Sequence, residues 1–336
     1  MKRDDDIMLN FSTDFYKNKA IDALSSNNYN SILNKEDAFI ILIHGVSIDN
    51  LENLCILLSE KLNIDINSAY KLTQYPNNEV KSLLISLAYK VLDEKKHLGN
   101  KYTEDNKFNL SSWISHSLYE AKACERIAKI LSIDTNFAFC YGLLHDYGRK
   151  FSHKFNHVII GFENLIDLNL DNYAKGCLTH SFINGERYCN NEYIASGFNI
   201  VNGKVTLDQS HRCEDMYNVL LHSNYNIYDD ILNIADLMAT DSGIISPENR
   251  VKDIAKRRDN IDNSQNRCYF IASLHNLILK IIKLCGNDID IKEISIDETN
   301  LEEVKEKFHV ISDLFFQIYN NKITDKRINN EHTMQL

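Results

Sequence analysis

Apolar residues recur at three- and four-residue spacing through most of the chain, the period of amphipathic helices. The pattern predicts helices over 14–24, 35–45, 50–62, 67–72 and 78–92. A polar stretch, HLGNKYTEDNKFN at 97–109, then interrupts the rhythm and reads as a linker. Past it the predicted helices are longer and more apolar, over 112–131, 137–144, 157–166, 173–189, 214–221, 229–240, 247–258 and 267–284. Asp134 is placed to cap the second of these, and Gly148 to close it in a left-handed turn. One segment departs from helical spacing: FNIV and KVTL flank Asn202-Gly203, a strong hairpin signal. A last amphipathic helix, 301–319, precedes a polar tail. The expected division is a helical N-terminal accessory domain at 1–98, a linker at 99–110, a main domain at 111–290, and a C-terminal helix and tail at 291–336.

Composition sharpens the class. Only 11 Gly and 2 Pro in 336 residues leave few breakers for the turns of a sandwich or barrel, so an all-α fold is expected. A 44% hydrophobic, 25% charged chain excludes disorder and fibre. A formal charge of -10 repels a phosphate backbone and disfavours bulk nucleic-acid binding. The 8 Cys include no C-x-x-C pair, and several sit within apolar helical patterns, as reduced thiols of a cytoplasmic protein do. The charged N-terminus has no apolar region after it and no run reaches a spanning length, so neither export nor membrane insertion is expected. Abundant Asn, Ile and Lys read as the coding drift of an AT-rich bacterial genome and carry no chemistry.

The chemistry gathers around His145-Asp146. Both fall at the end of an apolar helix, FCYGLL, where neither has a side-chain partner nearby and burial is costly. A divalent metal offsets that cost, because it takes an imidazole nitrogen and a carboxylate oxygen together. Neighbouring residues in a helix point about 100° apart, so both reach one ion only at a helix end. Further ligands must come from elsewhere. His116 lies on an apolar stripe 29 residues upstream, and Asp236 interrupts ILNIADLMAT. Alone, such a His is a hydrogen-bonded core residue and such an Asp a cap or an Arg partner. Their joint order, His, His-Asp, Asp, points to metal.

These segments, HSLYEAKACERIAKIL, YGLLHDYGRK and IADLMATD, resemble the HD-domain superfamily of metal-dependent phosphohydrolases over roughly residues 111–260. The resemblance implies an HD-type helical bundle with a small inserted β-hairpin, in which His116, His145, Asp146 and Asp236 bind one divalent ion. Many members carry a second ion bound by two intermediate histidines with the pair's Asp bridging. His157 and His180 are preferred for it, and His222 competes for one of those places. One or two ions are implied, Mn, Fe, Ni, Co or Mg according to supply. The family often has Ile-Gly-Lys after the pair, whereas this chain has Tyr147-Gly148-Arg149. Arg keeps the cation and presents a fork suited to phosphate.

The implied function is hydrolysis of a nucleotide or another small phosphorylated metabolite by metal-bound hydroxide, with Asp146, Arg149 and Lys150 in catalytic positions. Arg250 and Arg257, with Arg258, form a basic helix that either faces the site mouth or is a solvated face. Two alternatives accompany this reading. One is a di-iron oxygenase of the same superfamily, cleaving a C-P or C-C bond; the other is an inactive scaffold that senses nucleotides or binds partners through 1–98. Homodimerisation through the N-terminal helices is possible. His153 and His211 lie in polar surroundings, while His44, His97, His275, His309 and His332 receive no role. Gly197 to Lys204 fails as a P-loop, with five residues between its glycines and Val205 where Ser or Thr is needed. A helix-turn-helix at 64–84 has too few basic residues to be preferred over simple helical packing.

Overall fold

The computed structural model describes residues 10–43, 55–74 apart from 57 and 61, 77–98, 112–180 apart from 155, four strand segments, 219, 222–257 and 301–320. Among these residues the fold is mostly helical. The helices are α1 (Asp14–Ser25), α2 (Lys35–Ile43), α3 (Ile66–Gln74), α4 (Asn78–Leu98), α5 (Ser112–Ile130), α6 (Thr135–Leu144), α7 (His157–Asp167), α8 (Asp171–Thr179), α9 (Ile227–Asp236), α10 (Pro247–Arg257) and α11 (Leu301–Tyr319). A 3-10 turn, Tyr147–Lys150, joins α6 to the segment before α7. Between α8 and α9, β1 (Phe182–Asn184) pairs antiparallel with β2 (Tyr193–Ala195), and β3 (Phe198–Val201) with β4 (Lys204–Leu207). Of the helix predicted at 50–62, residues 55, 56, 58–60 and 62 are described and helical, whereas the 99–110 segment, the helix predicted at 267–284 and all but residue 219 of the one at 214–221 lie outside the described residues. No described helix is long and apolar enough to cross a membrane.

The central unit is α5 against α6, with α7, α8 and α9 packed around it. Helix α6 is buried from Phe137 to Leu144 because its sequence is apolar on every face. Asp134 starts it as expected, its side chain accepting the backbone N–H of Asn136 and Phe137. Asn226 and Asp229 start α9 with a capping box. Phe137 stacks on Tyr173 of α8 at 5.1 Å between ring centroids and meets Tyr228 of α9 edge-on at 4.8 Å. Cys124, Cys140 and Cys177 fill this core as free thiols.

A buried ion pair fixes how α8 and α9 sit. Lys175 Nζ lies 2.8 Å from Asp229 Oδ2, and Asp229 Oδ1 accepts the Tyr141 hydroxyl at 2.7 Å and Thr179 Oγ1 at 3.0 Å. Each charge is thereby paired and hydrogen-bonded, the condition for tolerating it in a core. The same network holds the end of α8 that supplies His180 against the first turn of α9, the helix whose far end supplies Asp236.

The N-terminal helices share this core. Ala20, Leu24, Phe39 and Leu42 belong to the same buried cluster as Phe137 and Phe162. Helix α1 packs on α7 and α8, and α2 on α6. Tyr16 donates to Asp167 at 2.6 Å, Lys19 pairs with Asp171 at 3.0 Å, and the Tyr173 hydroxyl accepts the backbone N–H of Ile32 and Leu33.

Three expectations are corrected. The helix predicted over 173–189 ends at Thr179 with His180 as its cap, and β1 follows, where Phe182 and Ile183 suit an extended chain. The helix predicted to 240 ends at Asp236, after which Ala239 bridges Ile244 across a tight turn. Gly148 is not left-handed but lies within the 3-10 turn. What it supplies is space: a Cβ there would stand 1.9 Å from the His157 carbonyl oxygen and 2.6 Å from Gly161 N. Two glycines back to back thus bring the turn after Asp146 directly onto α7.

Candidate metal centre

Five of the seven side chains that converge here come from helix ends. His145 and His180 cap α6 and α8, His157 opens α7, and Asp236 closes α9. Asp146 leaves the helical path at φ -98°, ψ 18°, which turns its carboxylate away from the direction a continued helix would impose. The remaining two, His116 and Glu120, stand one turn apart on α5.

Backbone carbonyls orient three of the imidazoles. His145 Nδ1 lies 2.6 Å from Gly142 O, His157 Nδ1 2.8 Å from Lys154 O and His180 Nδ1 3.1 Å from Gly176 O. A carbonyl only accepts, so each Nδ1 carries a proton and Nε2 is the atom turned inward, free to bind a metal ion once it sheds any proton of its own. No neighbouring side chain in FCYGLL can satisfy His145; the Gly142 backbone carbonyl does so.

The inward atoms form two groups. In the first, His116 Nε2 is 3.2 Å from Asp236 Oδ1 and 3.3 Å from Glu120 Oε2, while His145 Nε2 is 3.0 Å from the same Glu120 oxygen. In the second, Asp146 Oδ1 is 3.0 Å from His157 Nε2 and 3.5 Å from His180 Nε2, and those two nitrogens are 3.4 Å apart. Asp146 Oδ2 faces the other way, 3.5 Å from His145 Nε2 and 2.5 Å from Arg149 Nε. Asp146 therefore stands between the groups with one oxygen towards each.

The electrostatics follow from this crowding. Burial pulls the His145 imidazole towards neutrality, but Glu120 and Asp146 outweigh it and hold its pKa well above the ordinary value. His116 is raised for the same reason, burial being overcome by Asp236 and Glu120. Burial alone would raise Asp146, yet His145 and Arg149 hold its carboxyl well below the usual range. Asp236 is likewise depressed, with His116 prevailing over burial. At His157 burial wins over Asp146, and its pKa falls.

The donor set suits a cation. His145 Nε2, both Glu120 oxygens and Asp146 Oδ1 are buried and make no hydrogen bond among the described residues. Neutral imidazole lone pairs at 3.0 Å from carboxylate oxygens repel unless a proton or a metal ion lies between them. His116, Glu120, His145 and Asp236 are one set of ligand atoms within 4.8 Å of one another, and His145, Asp146 and His180 are another. Imidazole and carboxylate together are donors for Mn, Fe, Co, Ni or Zn.

The chain matches no family model, no curated protein and no solved structure. The site is read from its own residues.

Of the residues named from the sequence, His116, His145, Asp146, His157, His180 and Asp236 come together. Arg149 is at the centre, its side chain 31% exposed and its Nε on Asp146. Lys150 lies beside it over the rings of Tyr147 and Phe151, with its pKa lowered by burial. Arg250 is largely buried on α10, near enough to Asp236 to help depress its carboxyl, and Asp253 accepts from its Nη1 at 3.3 Å. Arg257 ends α10, and its side chain and Arg258 lie outside the described residues, as does His211. His222 is exposed and belongs to none of the ligand groups among the described residues; His153 is exposed too. Glu120 was not foreseen, although H-x-x-x-E places a carboxylate one turn from His116 on the same helix face.

Proposed function

We propose that this chain is an HD-type metal-dependent phosphohydrolase acting on a nucleotide or another small phosphorylated metabolite. The observation that carries the reading is Asp146, whose Oδ1 faces the Nε2 atoms of His157 and His180 while its Oδ2 faces that of His145. One carboxylate between two donor sets is the arrangement a dinuclear site needs. On this reading the fold is an HD-type bundle, with the strand pairs between α8 and α9 as its insertion.

A divalent cation, when bound, would supply a coordinated water of lowered pKa and charge to offset that building on phosphoryl oxygens. The chain's own residues supply the rest. His116, His145 and Asp236 would hold one ion, His157 and His180 a second, and Asp146 could serve both. Arg149 keeps donors beyond the Nε that meets Asp146, and they offer a fork for non-bridging phosphate oxygens at the partly open side of the site. Lys150, held near by two aromatic rings, adds a second cation there. Burial of the ligands keeps competing water out and strengthens these contacts.

The test is elemental analysis of protein purified without chelator, combined with a phosphate-release screen over nucleotides and sugar phosphates. The expected result is bound divalent metal and metal-dependent phosphate release, both lost in Asp146→Ala. Iron with an O2-dependent spectrum and no phosphate release would instead favour the oxygenase. Full metal content in Asp146→Ala would place the site elsewhere.

A further inference from the structure

The buried carboxylate Glu120 has no part in the ligand set drawn from the sequence. Its side chain is completely buried, both oxygens lack a hydrogen bond among the described residues, and Oε2 points between two imidazole nitrogens, 3.3 Å from His116 Nε2 and 3.0 Å from His145 Nε2. No lysine or arginine is paired with it among the described residues. Without a metal its charge would be balanced only by protons on His116 and His145, whose two imidazolium charges must also serve Asp236 and Asp146 in the same buried space.

We propose that Glu120 is a metal ligand of the first position, so that this position is held by His116, His145, Glu120, Asp236 and Asp146 Oδ2. The inference rests on the metal-centre reading above. It makes the two positions chemically unequal. The first brings two imidazoles and three carboxylates, whereas the second brings two imidazoles, His157 and His180, and the single oxygen Oδ1 of Asp146. Anionic oxygen donors favour harder cations, so the first position should prefer a hard ion such as Mn2+ and fill before the second. Glu120 also makes its contribution from the same helix face as His116. The spacing of four residues therefore sets the pair's geometry before any other helix arrives.

The experiment uses the full chain stripped of metal and titrated with Mn2+, with free ion followed by electron paramagnetic resonance. Wild type should show one tight and one weaker site. Glu120→Gln keeps the shape and removes the charge, and should weaken the tight site by about tenfold or more while leaving the weaker one in place. Glu120→Asp, with a shorter carboxylate, should recover part of the loss. Far-UV circular dichroism and thermal melts of the stripped proteins check that each variant is folded. If folded Glu120→Gln binds Mn2+ as wild type does, Glu120 is not a ligand and the inference fails alone. If wild type itself binds no Mn2+, Fe2+, Co2+ or Ni2+, the metal-centre reading falls with it.

Discussion

His157 and His180 face each other through their Nε2 atoms at 3.4 Å while their Nδ1 protons are committed to the carbonyls of Lys154 and Gly176. Nitrogens this close, with Asp146 Oδ1 alongside, repel unless a proton or a metal ion lies between them. His157→Ala and His180→Ala should each lower metal content from two ions per chain towards one, as measured by elemental analysis, and leave the first position loaded. His222→Ala, on an exposed turn residue, should change neither stoichiometry nor turnover.

On the proposed function Arg149 holds phosphate in addition to its pairing with Asp146. Arg149→Met should lower kcat/KM by about tenfold to a hundredfold, the value of a charge-assisted contact of about 1.5 to 3 kcal/mol, without removing metal. Arg149→Lys should restore part of it through charge alone. A purely local pairing with Asp146 predicts a change in metal content or melting temperature and no change in KM. Kinetics and metal analysis on the same samples separate the two.

Protons and metal compete for the first position. In the metal-free chain His145 is held well above its ordinary 6.5 by Glu120 and Asp146. Its contribution to stability is fully present below 6.5 and is lost as pH rises through the higher folded value. Asp146 has the opposite sign: its contribution is present above the ordinary 3.8 and is lost as pH falls through its depressed value. Melting temperatures in chelator should therefore fall as pH rises from 6.5 through the raised His145 value, and Mn2+ should restore most stability at the alkaline end. A metal-induced gain that does not grow with pH would count against imidazole ligation at this position.

The Gly148 and Gly161 contact predicts an asymmetric glycine series. Gly148→Ala would set a Cβ 1.9 Å from the His157 carbonyl, so α7 must shift. Destabilisation of at least about 2 kcal/mol in urea unfolding is expected, together with weaker metal binding at the second position. Gly243→Ala, with nothing within 4 Å of the new Cβ, should fall within about 0.5 kcal/mol of wild type.

The legible part of this molecule was the part written in periodicity and in local capping. Helical spacing located α5, α6 and α7 to within a few residues, and Asp134 marked a real N-cap. Helix ends governed by distant partners were harder to read. Tyr173 to Thr179 continues into residues that keep helical apolar spacing on paper, yet the pairing of β1 with β2 takes Phe182 to Asn184 out of helix. The Gly148 turn looked like a left-handed cap because local rules offer that choice; the close approach of Gly161, thirteen positions on, could not be seen locally. Of the site, isolated histidines and aspartates stood out against apolar surroundings. Glu120 did not, because YEAKACERIAK also carries Glu125, whose partner Lys35 makes it an ordinary ion pair. Only the fold distinguishes the glutamate that faces His116 from the one that faces lysine.

Tyr173 grips the backbone of Ile32 and Leu33, and Tyr29 reaches Asp229 at 3.4 Å beside Lys175. Residues 10–43 thus complete the interior of residues 112–180 and 222–236. Cutting the peptide bond chain within 99–110 should therefore yield fragments that remain associated on gel filtration. Halves expressed apart should be poorly soluble alone and recover structure on mixing. The opening third of the chain behaves in that case as a chaperone in cis, assembled once and carried permanently.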